Sequence, residues 1–198
     1  MLTRSSVPAP LQCSPSRLRV GHIAACMQAA AAHYEHAGVH LKEVPRMLHD
    51  AHDFGALDEY VASHPEPALL QWYGQYLESQ GNNSRAAAIY RQAGDVLSVV
   101  RMACAAGDFA AGMDMVAETS NAAAAFHLAR QLEMAGRQME AIACYEKSGR
   151  LSHAVRLAKE SGAEGELMSM ALQSNKRIQL DIARHFEMRG QFERAVQL

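Results

Sequence analysis

Residues 131–136 read QLEMAG, and closely similar stretches occur twice more in the chain. Residues 76–81 read YLESQG and residues 185–190 read HFEMRG, so the three closing glycines are spaced by 55 and 54 residues. The segments between them are also alike, because residues 100–103 (VRMA) recur as residues 155–158 (VRLA). A self-similar pattern with a long period indicates a solenoid of stacked helical units, which typically presents a surface to partners.

The segments between the glycines are rich in helix-forming residues. Alanine, leucine and methionine are abundant and aromatic residues make up 6% of the chain, which favours helix over strand. The sequence therefore predicts an all-α fold, an α-solenoid of hairpins of about 27 residues that resemble the roughly 34-residue tetratricopeptide (TPR) repeat. The predicted solenoid helices span residues 68–80, 84–93, 96–106, 109–118, 122–135, 139–148, 152–161, 166–173, 177–189 and 192–198.

Three regions of different composition follow one another along the chain. Residues 1–20 contain three prolines and no acidic residue, which favours a disordered or non-native start over an organellar transit peptide. Residues 21–67 are expected to form an irregular helical lead-in, with short helices at residues 22–37, 42–49 and 54–62. Pro45 is compatible with the second of these only in its first turn. Residues 68–198 are predicted to form the TPR-like solenoid, open at the C-terminus because residue 198 falls inside a predicted helix.

Composition argues against several classes of function. The chain carries 19 basic and 21 acidic residues, so no basic excess favours nucleic-acid binding. The longest apolar stretches are far shorter than the roughly 20 residues that a membrane-spanning helix requires. The four cysteines include no Cys-x-x-Cys pair, so we expect reduced thiols rather than a structural zinc site.

Ten histidines raise the question of a metal site. His33 and His36, like His49 and His52, are three residues apart, a spacing that places two imidazoles on one helix face. No His-Glu-x-x-His pattern occurs, so surface histidines are the favoured interpretation and no metal is expected. Glycine-rich phosphate loops and a Gly-x-Ser-x-Gly elbow are also missing from the sequence. We therefore expect no catalytic residue, no cofactor and no enzyme activity.

A glutamate recurs at one position of each period. Glu78, Glu133 and Glu187 each lie three residues before a closing glycine. A catalytic carboxylate rarely occurs once per repeat, so these residues are interpreted as structural. Each lies in the last helical turn, where the helix dipole disfavours a negative charge, and therefore needs a compensating contact. Arg85 and Arg137, just beyond two of these turns, are the expected partners.

Arg101 and Arg156 recur in the same way, one period apart, and are the candidate partner-binding residues. In one interpretation they line a groove that grips acidic peptide segments. In the alternative, each pairs with a glutamate of the neighbouring helix or covers apolar surface with its aliphatic stem. Tyr90 and Tyr145 also occupy equivalent positions, where we expect rings on the apolar layer and hydroxyls near solvent.

Alanine follows each closing glycine by five residues. The three positions are Ala86, Ala141 and Ala195. A methyl group at this point lets the neighbouring helix approach closely, so these alanines are predicted to mark a tight helix crossing.

Several longer stretches resemble a known family. The stretches are residues 43–48 (EVPRML), 72–81 (WYGQYLESQG), 98–102 (SVVRM), 118–123 (ETSNAA), 127–131 (HLARQ), 156–162 (RLAKESG) and 167–172 (LMSMAL). In this order they resemble the C-terminal helical region of an intraflagellar transport complex A subunit, the roughly 140-kilodalton member with WD and TPR repeats. The resemblance extends from about residue 30 to residue 198.

The resemblance implies a scaffold role rather than chemistry. The implied function is assembly of complex A through protein–protein contacts, in retrograde transport along the cilium or flagellum and in the entry of membrane proteins into cilia. The implied partners are the other complex A subunits and adaptors for ciliary membrane-protein cargo. The implied location is the cilium or flagellum, the basal body and the cytoplasm.

Two other interaction functions stay open at this point. Vesicle-coat subunits of the coatomer type share the plan of a propeller followed by a solenoid, and similarity of fold does not separate them from the ciliary family. A TPR adaptor that binds peptides would need a recurring set of carboxylate-gripping side chains. Arg101 and Arg156 are the recurring candidates for such a set.

Overall fold

The computed structural model describes the backbone of residues 15–198 and the side chains from residue 25 onward. The described residues form thirteen α-helices and no strand, which confirms the all-α class. We predicted residues 1–20 to be disordered or non-native. Residues 1–14 of this segment lie outside the described residues, and the first helix begins at Pro15. The helices are α1 (Pro15–His36), α2 (His40–Asp50), α3 (Phe54–Ser63), α4 (Pro67–Ser79), α5 (Asn83–Gln92), α6 (Val96–Ala105), α7 (Phe109–Thr119), α8 (Ala122–Met134), α9 (Gln138–Lys147), α10 (Leu151–Ser161), α11 (Glu164–Gln173), α12 (Lys176–Met188) and α13 (Phe192–Val196).

Two compact units follow one another along the chain, and the first of them, which contains α1 to α3, ends at Pro65. Its second helix corrects one expectation, because α2 begins at His40 and Pro45 lies inside the helix rather than in its first turn. Proline removes one N–H from the ladder of helical hydrogen bonds. Val44, Pro45 and Leu48 are buried, so burial of this apolar face offsets the missing bond.

The second unit, Glu66–Leu198, contains α4 to α13 packed as consecutive helix pairs. The pairs are α4 with α5, α6 with α7, α8 with α9, α10 with α11 and α12 with α13. All ten predicted solenoid helices are present, and their ends differ from the prediction by at most two residues. None of the described helices is long and apolar enough to cross a membrane.

Gly81 and Gly136 end α4 and α8 in the same way. Their φ angles of 75° and 77° lie in the left-handed region, which residues with a Cβ rarely adopt. The N–H of Gly136 donates to the carbonyl of Glu133, and the next N–H donates to the carbonyl of Leu132. These bonds form a Schellman motif, which satisfies carbonyls at the helix end and fixes the position of the glutamate in the last turn.

Asparagine and aspartate side chains cap the opposite ends of several helices. Each accepts the backbone N–H three residues further on, which satisfies one of the free donors of the first turn. The capping residues in the second unit are Asn82, Asp95, Asp108, Asn121 and Asn175.

Apolar residues of adjacent helices in the second unit form its core. Leu128 and Leu132 of α8 and Ile142 of α9 are at most 1% exposed. Ala86 and Ala141 are fully buried at 0% exposure, which agrees with the predicted tight crossing, whereas Ala195 is only partly buried. This packing holds the helices in a fixed register and brings the recurring polar residues together.

Candidate interaction surface

Glu133, Tyr145 and Arg156 form a hydrogen-bonded cluster that joins three helices. The Oη of Tyr145 in α9 donates to the Oε2 of Glu133 in α8 at 2.6 Å. The Nη2 of Arg156 in α10 donates to the Oε1 of the same carboxylate at 2.7 Å. We call this cluster the second clasp, because it ties one helix pair to the first helix of the next pair.

Glu78, Tyr90 and Arg101 form an equivalent cluster, the first clasp, between α4, α5 and α6. The Oη of Tyr90 donates to the Oε2 of Glu78 at 3.0 Å. The Nη2 of Arg101 donates to the same oxygen at 2.8 Å, and its Nη1 donates to Oε1. In both clasps the tyrosine follows the glutamate by 12 residues and the arginine follows it by 23.

The clasps correct the expected partners of the recurring glutamates. Glu78 and Glu133 bond to Arg101 and Arg156 of the following helix pair. Arg137 instead pairs with Glu140 of α9, with 2.5 Å between Nη2 and Oε2. For Glu187 the same spacings lead beyond Leu198, so the third period shows no clasp among the described residues.

The two tyrosines are more buried than expected. Tyr90 and Tyr145 are each 1% exposed, so the prediction of hydroxyls near solvent is wrong. Each hydroxyl faces a carboxylate, because burial of the ring requires a partner for its polar end. Gly74 of α4 makes room for the first ring, since a Cβ at this residue would lie 2.6 Å from the Cε1 of Tyr90.

Arg101 and Arg156 both take part in these clasps, as one of the two interpretations expected. Arg156 also donates to the Oε2 of Glu160 at 2.9 Å. The side chains of Arg101 and Arg156 remain 39% and 44% exposed, so each arginine presents an edge to solvent. Direct contact of these two residues with a partner stays a prediction.

Hydrogen bonding shifts the pKa values of the clasp residues. The pKa of Glu133 is lowered, first by the hydroxyl of Tyr145 and then by Arg156. The pKa of Glu78 is lowered chiefly by its hydrogen bond to Arg101. Burial, together with the bond to Glu133, raises the pKa of Tyr145 to about 12. The protonated phenol and the ionised carboxylate are therefore both favoured in the folded chain.

Tyr145→Phe removes one hydroxyl and keeps the buried ring. We expect the free energy of unfolding at neutral pH to fall by about 0.5–1.5 kcal/mol, because the bond to Glu133 is lost. Denaturation by urea measures the difference. Tyr34→Phe, which lies in α1 and outside both clasps, is the control, with an expected change below about 0.5 kcal/mol. Equal effects of the two substitutions would contradict a stabilising clasp.

The same variant should change how stability depends on pH. Unfolding lowers the pKa of Tyr145 from about 12 to 10, so its contribution is complete below pH 10 and is lost as the pH rises toward 12. The lowered pKa of Glu133 acts in the other direction, so that its contribution is complete above its ordinary value of 4.5 and is lost in acid. We expect Tyr145→Phe to weaken the alkaline fall in the urea midpoint. An alkaline fall as steep in this variant as in the wild type would contradict the contribution of Tyr145.

The structure gives little support for a metal site or a reactive thiol in the described part of the chain. The described side chains include no group of three or more His, Cys, Asp or Glu residues that could hold a metal ion. Cys104 and Cys144 are free thiols, while Cys13 lies outside the described residues. Burial raises the pKa of Cys104 and Cys144, which keeps both as unreactive thiols.

Comparison with known protein families agrees with this repeated arrangement of helix pairs. The family described as the TPR domain of intraflagellar transport proteins 140 and 172 matches residues 20–198. The chain belongs to this family. The match includes all ten helices of the second unit and also α2 and α3 of the first, so the family's TPR domain extends beyond the residues that form the regular repeat. Membership confirms the resemblance to an intraflagellar transport protein and the TPR-like solenoid fold.

Proposed function

We propose that the chain is a scaffold segment of intraflagellar transport complex A, acting in retrograde ciliary transport and in the entry of membrane proteins into cilia. The observation that carries this proposal is the match to the intraflagellar transport TPR domain over residues 20–198. The choice of complex A within this family rests on stretches such as residues 43–48 (EVPRML) and 156–162 (RLAKESG), which resemble its WD-repeat and TPR subunit.

The proposed mechanism is assembly without catalysis. The clasps hold successive helix pairs together, so that the first helices of the pairs can present a continuous surface to other subunits. In this assignment residues 68–198 are the contact solenoid and residues 21–67 are its lead-in. Exposed apolar residues such as Met134 at 76% and Met188 at 80% would be covered by partners, as is typical of the centre of a protein interface.

The partners in this proposal are the other complex A subunits, together with adaptors that carry ciliary membrane proteins. The chain would act at the cilium or flagellum, the basal body and the cytoplasm. A coat subunit of the coatomer type and a peptide-binding TPR adaptor are the competing functions, and each would recover a different set of partners.

Affinity capture of the protein, tagged at its own gene in ciliated or flagellated cells, tests the proposal. We expect the other complex A subunits to be recovered with the intact protein. Deletion of residues 68–198 is the control and should lose them. Recovery of coat subunits or chaperones in place of complex A would contradict the proposed function.

A further inference from the structure

An open groove of about 900 Å³ lies between α10 and α12, the first helices of two consecutive pairs in the second unit. One face of α10 lines it with Arg156, Lys159 and Glu160. The facing side of α12 contributes charged residues from two successive turns, Asp181 among them. The groove therefore has two helical walls that both carry charge.

Basic side chains outnumber acidic ones in this groove by four to two, in a chain whose net charge is −2. The two basic residues of α10 are already paired. Arg156 bonds to Glu133 and Glu160, and the Nζ of Lys159 lies 2.8 Å from the Oδ2 of Asp181. The excess positive charge is thus not distributed evenly between the two walls.

Arg177 and Arg184 of α12 carry the uncompensated charge. Both side chains are exposed, and neither has a carboxylate within 4.0 Å in the part of the chain that the structure describes. Leu180 lies between them and is 52% exposed. Because these residues are spaced by three and then four positions, they share one face of α12, with about 10 Å of helix axis between the arginines.

We infer that the groove between α10 and α12 is a docking site for an acidic helical segment of another protein. Two carboxylates seven residues apart on such a segment would match the separation of Arg177 and Arg184, since both helices rise by about 1.5 Å per residue. An apolar side chain between the two carboxylates would cover Leu180. This inference rests on the proposed scaffold function and specifies the chemistry of one contact.

Charge at the groove favours a polypeptide over a polyanion such as nucleic acid. Glu160 and Asp181 lie on the two walls, and their carboxylates would repel a continuous row of phosphates. An exposed leucine between two arginines is matched by a partner that alternates charge with apolar groups.

A labelled helical peptide tests the inference by fluorescence anisotropy with the chain of 198 residues. The probe is a capped, Ala- and Gln-based helix of about 18 residues, long enough to be helical in water. It carries two glutamates seven residues apart, about two helical turns, with a leucine between them. We expect saturable binding that weakens with added salt. Arg177→Glu combined with Arg184→Glu should weaken binding at least about tenfold, and lysines in place of the peptide glutamates should restore it.

Arg130→Glu is the matched control for these variants. Arg130 precedes Gly136 by six residues as Arg184 precedes Gly190, and it is also exposed, but it lies on α8, outside this groove. We expect Arg130→Glu to bind the peptide as the wild type does. Equal weakening by Arg130→Glu, failure of the peptide to bind, or stronger binding of a nucleic-acid duplex or of phosphatidylserine vesicles would overturn the inference.

Affinity capture from ciliated cells separates this inference from the proposed function. The tagged protein with both α12 arginines replaced should recover less of one partner than the protein with Arg130→Glu. Unchanged recovery of every complex A subunit by the double variant would overturn the docking site and leave the scaffold function standing. If the wild-type protein itself recovered no complex A subunit, that result would contradict the scaffold function.

Discussion

Leu132→Ala is expected to lower the free energy of unfolding of the chain by about 2–5 kcal/mol. Leu132 is 0% exposed and lies in the core shared by α8 and its neighbours. Truncation removes three buried carbons and leaves a cavity that tightly packed helices can close only in part. The backbone carbonyl of Leu132, which accepts the N–H of Arg137, is unchanged by the substitution, so the loss reports the packing of the side chain.

Urea denaturation followed by circular dichroism measures this loss. Met134→Ala is the matched control, since Met134 lies two residues further along the same helix and is 76% exposed. We expect that substitution to change the free energy of unfolding by less than about 0.5 kcal/mol. A similar loss for both variants would show that residues 131–136 do not pack with Leu132 inward.

The helices of the second unit could be predicted from the sequence because their boundaries depend on local chemistry. A glycine with positive φ follows the end of α4 and that of α8, and a side chain such as Asn121 caps the start of the next helix. Both signals act within a few residues, so they are visible in a single sequence. The start of α2 was harder to place, because burial of Pro45 and its neighbours outweighs the local preference against proline.

The partners within the clasps could not be predicted in the same way. The nearest arginine in sequence to Glu133 beyond the turn is Arg137, but the carboxylate bonds to Arg156, 23 residues away. Which arginine reaches the carboxylate depends on how one helix pair stacks on the next, and this is decided by packing of the whole core. One signal was nevertheless present in the sequence. Glutamate, tyrosine and arginine recur together at equal spacings in two periods, and residues that recur together are often in contact.

The two uncompensated arginines of the groove were missed for a related reason. The residue one period before Arg177 is Ala123, which is not basic. Recurrence along the sequence therefore does not identify Arg177. Arg184 does recur, as Arg130. However, the sequence does not show that Arg184 is exposed or that it has no ion-pair partner among the described residues. Both features depend on how α10 and α12 lie side by side. In such a solenoid, a surface that is specific to one repeat therefore cannot be predicted from the periodicity of the sequence.

Ala141→Leu is expected to lower the free energy of unfolding by about 1–3 kcal/mol through overpacking. Ala141 is 0% exposed, and α8 and α9 make the most extensive helix–helix contact among the described residues. Three additional carbons at this crossing would force α9 away from α8 or drive neighbouring side chains from their preferred rotamers. Because Tyr145 lies one turn further along α9, the displacement should also weaken its hydrogen bond to Glu133.

Ala143→Leu separates overpacking from the other effects of a larger side chain. Ala143 lies two residues after Ala141 in α9 but is exposed, and leucine is nearly as good a helix former as alanine. Thermal unfolding should therefore show a lower melting temperature for Ala141→Leu and almost none of this change for Ala143→Leu. If Ala141→Leu melted at the wild-type temperature, the small residue that recurs after each closing glycine would reflect only helix propensity. The tight crossing would then not be what fixes the spacing of the hairpins.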